Sequence, residues 1–216
     1  MVFDFLFFGE DYCPICFCEK TENHICHNCK ANLDFVDGKI ELDRGICFYP
    51  YFYNSFIKRI IRDFKFNRKT YLVKPLAYML AENIVRNHIE ADFISYIPMY
   101  HKDEFRRGYN QSELLAREVS KMLKISVIDL VGKIRSTKEQ NKLDKESRRN
   151  NLSNSFIVKE SCNLSGKSII LIDDLVTTGA TFNEVSRVIL EKYDVSIKYL
   201  AITSSRNGED NDELFK

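Results

Sequence analysis

The chain has 216 residues, 44% hydrophobic and 29% charged, with a formal net charge of +1. These proportions exclude collagen-like, low-complexity and wholly disordered chains, and no apolar run approaches the roughly 18 residues of a membrane span. The apolar start, Val2 to Phe8, is broken by Asp4 and lacks the basic flank and cleavage site of a secretory signal, so the cytoplasm is the expected compartment.

Residues 1–50 read as a small metal-stapled module. Cys13-Pro-Ile-Cys16 and Cys26-His-Asn-Cys29 are paired C-x2-C knuckles. Each tight turn aims two thiolates at one point, the arrangement of a closed, structural tetrahedral Zn2+ site. Disulfides are the competing reading, and a chain without a secretion signal disfavours them. Cys18, His24 and His27 lie close enough in sequence to substitute for a ligand. Cys47 and Cys162 stand alone and read as buried small hydrophobes. Residues 1–57 carry nine acids against four bases, a balance of −5, whereas residues 58–74 carry seven bases (Lys58, Arg59, Arg62, Lys65, Arg68, Lys69, Lys74) against Asp63, a balance of +6. Residues 133–149 carry seven bases against three acids. Basic segments in a nearly neutral chain suggest a localised anion surface, although each alone reads as a solvated face.

Next in the chain, Asn54 or Ser55 caps a helix whose Phe56, Ile57, Ile60, Ile61 and Phe64 share one face. A second helix is expected from about Tyr71 to Asn87, a strand over 93–97 ended by Pro98, and a polar loop over 99–109. Asn110 and Glu113 form a capping pair for a helix to about Leu123. Residues 132–154 are charged, without apolar period, and read as a long loop. Strands are expected at 155–158, 168–172 and 195–203, with a turn at Gly166 and a helix from Thr181 to Tyr193. The alternation predicts an α/β fold with a parallel sheet. The expected organisation is a zinc-binding module at 1–50, an α/β domain at 51–206 and a polar tail at 207–216.

The most informative stretch is Ile169-Ile-Leu-Ile-Asp-Asp174, followed by Leu-Val-Thr177-Thr178-Gly179-Ala180-Thr181 and a helix. A buried strand delivers two carboxylates at its C-terminal end, where ligands bind in open α/β sheets. A turn of small and hydroxylated residues opening a helix is a phosphate cradle. Two carboxylates suit a vicinal diol, so the pattern suggests a ligand with a ribose and a terminal phosphate. A P-loop does not fit: Ser161 stands where its first glycine belongs, and Gly166-Lys167-Ser168 enters a strand rather than a helix. No G-x-G-x-x-G occurs.

This segment closely resembles the motif with which type I phosphoribosyltransferases hold phosphoribosyl pyrophosphate (PRPP). The resemblance implies that Asp173 and Asp174 hold the ribose hydroxyls, that Thr177, Thr178, Gly179, Ala180 and Thr181 hold the 5-phosphate, and that Mg2+ accompanies the ligand. Ile97-Pro98-Met99, then Arg106-Arg107-Gly108-Tyr109-Asn110-Gln111, and a loop carrying Arg135, Thr137, Gln140, Leu143, Arg148 and Asn151 narrow it further. With the cysteine knuckles, these resemble the ComF family of competence proteins over about residues 5–203. One departure is Asn154-Ser155-Phe156, where that family usually shows a Gly-Ala-Phe-like end to the loop. Lys102, Arg106 and Arg107 follow a strand end and suit pyrophosphate. Arg135, Lys138 and Arg148 lie on a loop that suits closure over a ligand.

Two functions follow from the resemblance. One is a PRPP-binding protein that handles single-stranded DNA during natural transformation, in the cytoplasm or at the inner face of the membrane, with a competence helicase as its protein partner. The basic 58–69 helix with Phe56, Phe64, Phe66 and Tyr71 interleaved supports it, although Phe56 and Phe64 also suit a core. The other is a catalytic phosphoribosyltransferase moving phosphoribose to a nitrogen acceptor, for which no segment marks a base pocket.

Overall fold

The computed structural model describes residues 12–21, 24–136, 154–159 and 164–205. A short helix, α1 (His27–Ala31), follows the first cysteines. The antiparallel hairpin β1 (Phe35–Leu42) and β2 (Gly45–Phe52) comes next. Helices α2 (Ser55–Phe66) and α3 (Val73–Arg86) lead to β3 (Phe93–Tyr96). Then come α4 (His101–Arg107), α5 (Gln111–Leu123), β4 (Ser126–Val127) and β5 (Val131–Lys133). After them run β6 (Phe156–Val158), β7 (Lys167–Ile172), β8 (Leu175–Val176), α6 (Ala180–Leu190), β9 (Val195–Leu200) and β10 (Thr203–Ser204).

The main sheet runs β4-β3-β7-β9-β2-β10-β8, and every pair on that path is parallel; β1 adds antiparallel to β2. β5 and β6 form a separate antiparallel pair. The sheet is buried on both faces, and β7 shows why its sequence is a continuous apolar run. Ile170 and Ile172 point into a core shared with α2, α3 and α5, while Ile169 and Leu171 point into one shared with Phe182, Val185 and Ile189 of α6. Successive side chains of a strand alternate between faces, so a strand covered on both must be apolar throughout.

Three sequence expectations are corrected. Residues 101–107 of the expected polar loop form α4. None of its residues is buried, so it has no apolar period to reveal it. Its acids Asp103 and Glu104 sit in the first turn and Arg106 and Arg107 in the last, matching the helix dipole. Gly108, at φ 95°, closes it in the left-handed conformation that glycine adopts without penalty. The loop expected from 132 begins instead inside β5, and residues 137–153 lie outside the described residues. The boundary expected at residue 50 falls inside β2, which is hydrogen-bonded in the main sheet between β1 and β9. The tail at 207–216 also lies outside the described residues.

Asn54 caps α2 as expected, accepting from the Ile57 N–H at 3.0 Å, and Asn110 caps α5, accepting from Ser112 and Glu113. Asn154 takes φ 56°, a left-handed conformation that asparagine tolerates better than most residues, and Ser155 is fully buried.

Candidate functional site

The knuckles bring Cys13, Cys16, Cys26 and Cys29 together, with their sulfurs all within 4.8 Å of one another. Cys16 Sγ and Cys26 Sγ are 3.7 Å apart. At metal–sulfur bonds of about 2.3 Å, a tetrahedral site has sulfur–sulfur edges of about 3.8 Å, so the four thiols fit one such ion. Cys18, His24 and His27 stand outside the cluster. Cys18 is exposed, His27 is exposed on α1, and the His24 ring packs edge-on against Tyr78. Local backbone prepares the site: Cys26 is the N-cap of α1 and accepts from the Cys29 N–H. Burial pushes the Cys26 thiol up to about 11 and Cys29 higher still. Cys16 goes the other way: burial opposes its ionisation, but the Cys18 N–H and the Cys26 and Cys29 thiols lower it to about 7. The four sulfurs could ionise together only around a cation, and the cluster could hold a divalent ion.

The second constellation lies at the C-terminal edge of the sheet. β3 and β7 run parallel with Tyr96 opposite Ile172, so their two exits meet. From the β7 exit come Asp173 and Asp174; from the β3 exit come α4, Asn110 and the first turn of α5. Asp173 Oδ1 accepts from Ser112 Oγ at 2.7 Å and from the Asp174 N–H at 2.9 Å. Burial first, and the Asp174 carboxylate second, push the Asp173 carboxyl up to about 7. Asp174 is 2% exposed, and its Oδ2 faces Lys65 Nζ at 2.9 Å. Burial and then Asp174 also push the Tyr53 hydroxyl up to about 12. Lys133 lies near Asp103 and Asp173, which favour its charge, but burial outweighs them and lowers its pKa.

The turn that follows is anchored. β8 pairs with β10 through Leu175 and Val176, and Thr203 of β10 bonds the Tyr51 carbonyl at 2.7 Å. This leaves Thr177 exposed at the turn, with Thr178 Oγ1 accepting from the Ala180 N–H at 3.3 Å. Gly179 is the N-cap of α6 at φ 79° and is buried against Leu42. α6 starts at Ala180 behind Gly179 with no side-chain cap on Gly179 itself, and a helix start is where an anion is stabilised. Gly179→Ala is expected to cost about 1–2 kcal/mol from the left-handed backbone alone, with the added methyl also meeting Leu42. Thermal melts of the two proteins check it.

The basic residues expected at this edge divide. Lys102 and Arg106 are exposed on α4, and Arg106 pairs with Asp103 at 3.3 Å. Arg107 turns inward: it donates to Gln111 and its guanidinium lies 5.1 Å from the centre of the Phe66 ring. Arg135 is exposed and donates to the Asn154 carbonyl at 3.2 Å. Lys138 and Arg148 lie outside the described residues.

Lys65, Ser112 and Lys133 were not anticipated at this site. In the sequence Lys65 reads as one of the bases of the 58–74 segment, yet in the fold it stands beside Asp174. The available signal was its place four residues after Ile61, on the border of the apolar stripe. Ser112 carried no signal, because the fold alone brings it across 61 residues to Asp173.

Residues 110–214 match the family model described as Phosphoribosyl transferase domain. Competence protein F of Haemophilus influenzae is 34% identical over 137 residues, 60% of this chain and 60% of that protein. DNA utilization protein YhgH of Escherichia coli K12 is 28% identical over 137 residues, 61% of this chain and 60% of that protein. Competence protein ComFC of Bacillus subtilis is 27% identical over 181 residues, 83% of this chain and 72% of that protein. The chain thus spans about 60% of the length of the first two of these relatives. Among the described residues, no helix is long and apolar enough to cross a membrane.

Proposed function

We propose that the chain is a ComF-family protein that binds PRPP with Mg2+ at the β7 exit and serves in the handling of single-stranded DNA during natural transformation. The observation that carries the PRPP reading is the pair of adjacent carboxylates, Asp173 and Asp174, placed directly before a phosphate-sized turn at a helix N-terminus. Each carboxylate accepts from one ribose hydroxyl. Thr177, Thr178, Gly179, Ala180 and Thr181 hold the 5-phosphate. Arg107, Arg106 and Lys102 face the pyrophosphate, and Mg2+ neutralises part of its charge. Zn2+ fills the four-cysteine site as a structural ion.

Calorimetric titration with Mg·PRPP tests this reading. Wild-type protein is expected to bind, and Asp173→Ala/Asp174→Ala to lose about 100-fold in affinity, since each missing acceptor costs roughly 1–3 kcal/mol. No heat with the wild type at millimolar PRPP and Mg2+ would refute it.

The DNA reading draws on the names of the relatives and on the cationic face of α2. Lys65 is committed to Asp174 and Lys69 to Asp63, at 2.9 Å each. Between residues 58 and 68 the exposed cations are Arg59, Arg62 and Arg68. A polyanion held there is bound without regard to sequence. Replacing these three by Gln is expected to reduce the slope of log affinity against log salt by about 2, at about 0.7 per single-strand phosphate contact, with PRPP binding intact. An unchanged slope would move the DNA surface elsewhere.

A further inference from the structure

Three consecutive residues at the end of α2 are each tied to a different part of the site. The Phe64 carbonyl accepts from the Tyr109 hydroxyl, Lys65 reaches Asp174, and the Phe66 ring lies under Arg107. The Tyr109 and Phe64 rings are also in contact, with centroids 5.9 Å apart. The last turn of α2 is therefore a third wall of the site, joining the acid pair on one side to residues 107–109 on the other.

Lys65 is the charged member of that wall. Its side chain is 16% exposed and that of Asp174 is 2%. A carboxylate withdrawn this far from water is costly to keep ionised unless a cation stands beside it. Asp173 takes its hydrogen bonds from neutral groups, the Ser112 hydroxyl and a backbone N–H, and Lys65 acts on it only from a distance. A diol donates two hydrogen bonds and gains most from acceptors that are already charged and aimed.

We propose that Lys65 is a positioning residue for the ribose diol, a tethered cation that holds Asp174 ionised and oriented toward the ligand. The proposal rests on the PRPP reading above. It separates Lys65 from the other cations of α2, whose charge faces solvent. It also makes α2 part of the ligand site, so that a shift of this helix is felt at Asp174.

The experiment uses the full zinc-loaded chain and four variants: Lys65→Met, which keeps length and removes charge, Lys65→Arg, which keeps charge, Asp174→Asn, which removes the acid's charge, and Lys65→Met/Asp174→Asn, which removes both. Carboxyl carbon NMR follows ionisation of Asp173 and Asp174, with Tyr53, Lys65 and Lys133 as the other titratable groups around them. Calorimetry follows Mg·PRPP. In Lys65→Met the midpoint of the acid pair is expected to rise and PRPP affinity to fall about tenfold or more. Lys65→Arg is expected to keep the midpoint near that of the wild type and to recover most of the affinity. In the double variant, PRPP binding should be no weaker than in Asp174→Asn alone, because Lys65 acts through Asp174. An unchanged midpoint in Lys65→Met, or PRPP affinity within about twofold of wild type, would overturn the proposal. A wild type that takes up no PRPP, in a protein whose midpoint shifts on Lys65→Met, would instead overturn the PRPP reading and support the hold of Lys65 on Asp174.

Discussion

With Zn2+ at the four-cysteine site as proposed, Cys13→Ser is expected to release it and to lower the melting temperature of the whole chain, beyond the N-terminal segment itself. Cys13, Cys26 and Cys29 are 0%, 3% and 5% exposed, and with Ile25 and Leu33 they belong to the same apolar core as Ile57, Ile60, Leu76, Leu80 and Ile172. Polar ties reinforce the join. Asn54, the cap of α2, donates to the Asn32 carbonyl at 3.1 Å and to Asp34 at 2.8 Å. Structural zinc sites contribute on the order of 10 kcal/mol to the folding of isolated peptides. Much of that energy goes into ordering segments that here are already held by the core. A loss of about 4 kcal/mol is a reasonable expectation, corresponding to about 8–16 °C in a domain of this size. Elemental analysis and differential scanning calorimetry on wild type and variant check it. Stoichiometric zinc in Cys13→Ser would contradict the four-thiolate site. Loss of zinc with an unchanged main transition would show that the cysteine segment folds independently of α2 and α3.

The second large effect is a pH-dependent gain of stability in Asp173→Asn. Asp173 is held at about 7, chiefly by burial and then by the charge of Asp174, against an ordinary carboxyl value of about 3.9. The folded chain therefore keeps a proton that the unfolded chain gives up between those values. The contribution of this group to stability is full below the ordinary value and is lost as the pH rises through about 7. Asparagine imitates the protonated acid. Wild type and Asp173→Asn are expected to differ least at pH 3.5, below the ordinary carboxyl value, with the variant melting several degrees higher at pH 8.5. The same variant should bind Mg·PRPP more weakly at pH 8.5, because an amide replaces a charged acceptor for the diol. Stability rising where ligand affinity falls is the mark of a residue kept for binding rather than for the fold. An equal difference in melting temperature at both pH values would remove the buried-proton explanation.

What could be read from the sequence was local. The C-x2-C pairs, the apolar faces of α2 and α5 with their Asn caps, the continuous apolar run of β7 and the Asp-Asp-turn-helix succession are each contiguous, so the backbone geometry that uses them is set by neighbours in the chain. These were enough for the parallel α/β class and for locating the acid pair, and the family resemblance rested on them too. Helix α4 escaped because it buries nothing, leaving dipole-matched charges and Gly108 as its sole marks. The hairpin β1–β2 escaped because Pro50 interrupts what would otherwise read as an interior strand; the ladder accommodates it between the pairs at Tyr49 and Tyr51. Tertiary structure alone decided the company of the acid pair. Lys65, Ser112 and Lys133 arrive from α2, α5 and β5 because parallel strands send their exits to one edge. Sequence distance carries no information about that edge. Asp174 therefore looked equivalent to Asp173 in the sequence, until the fold placed a lysine beside one and a serine beside the other.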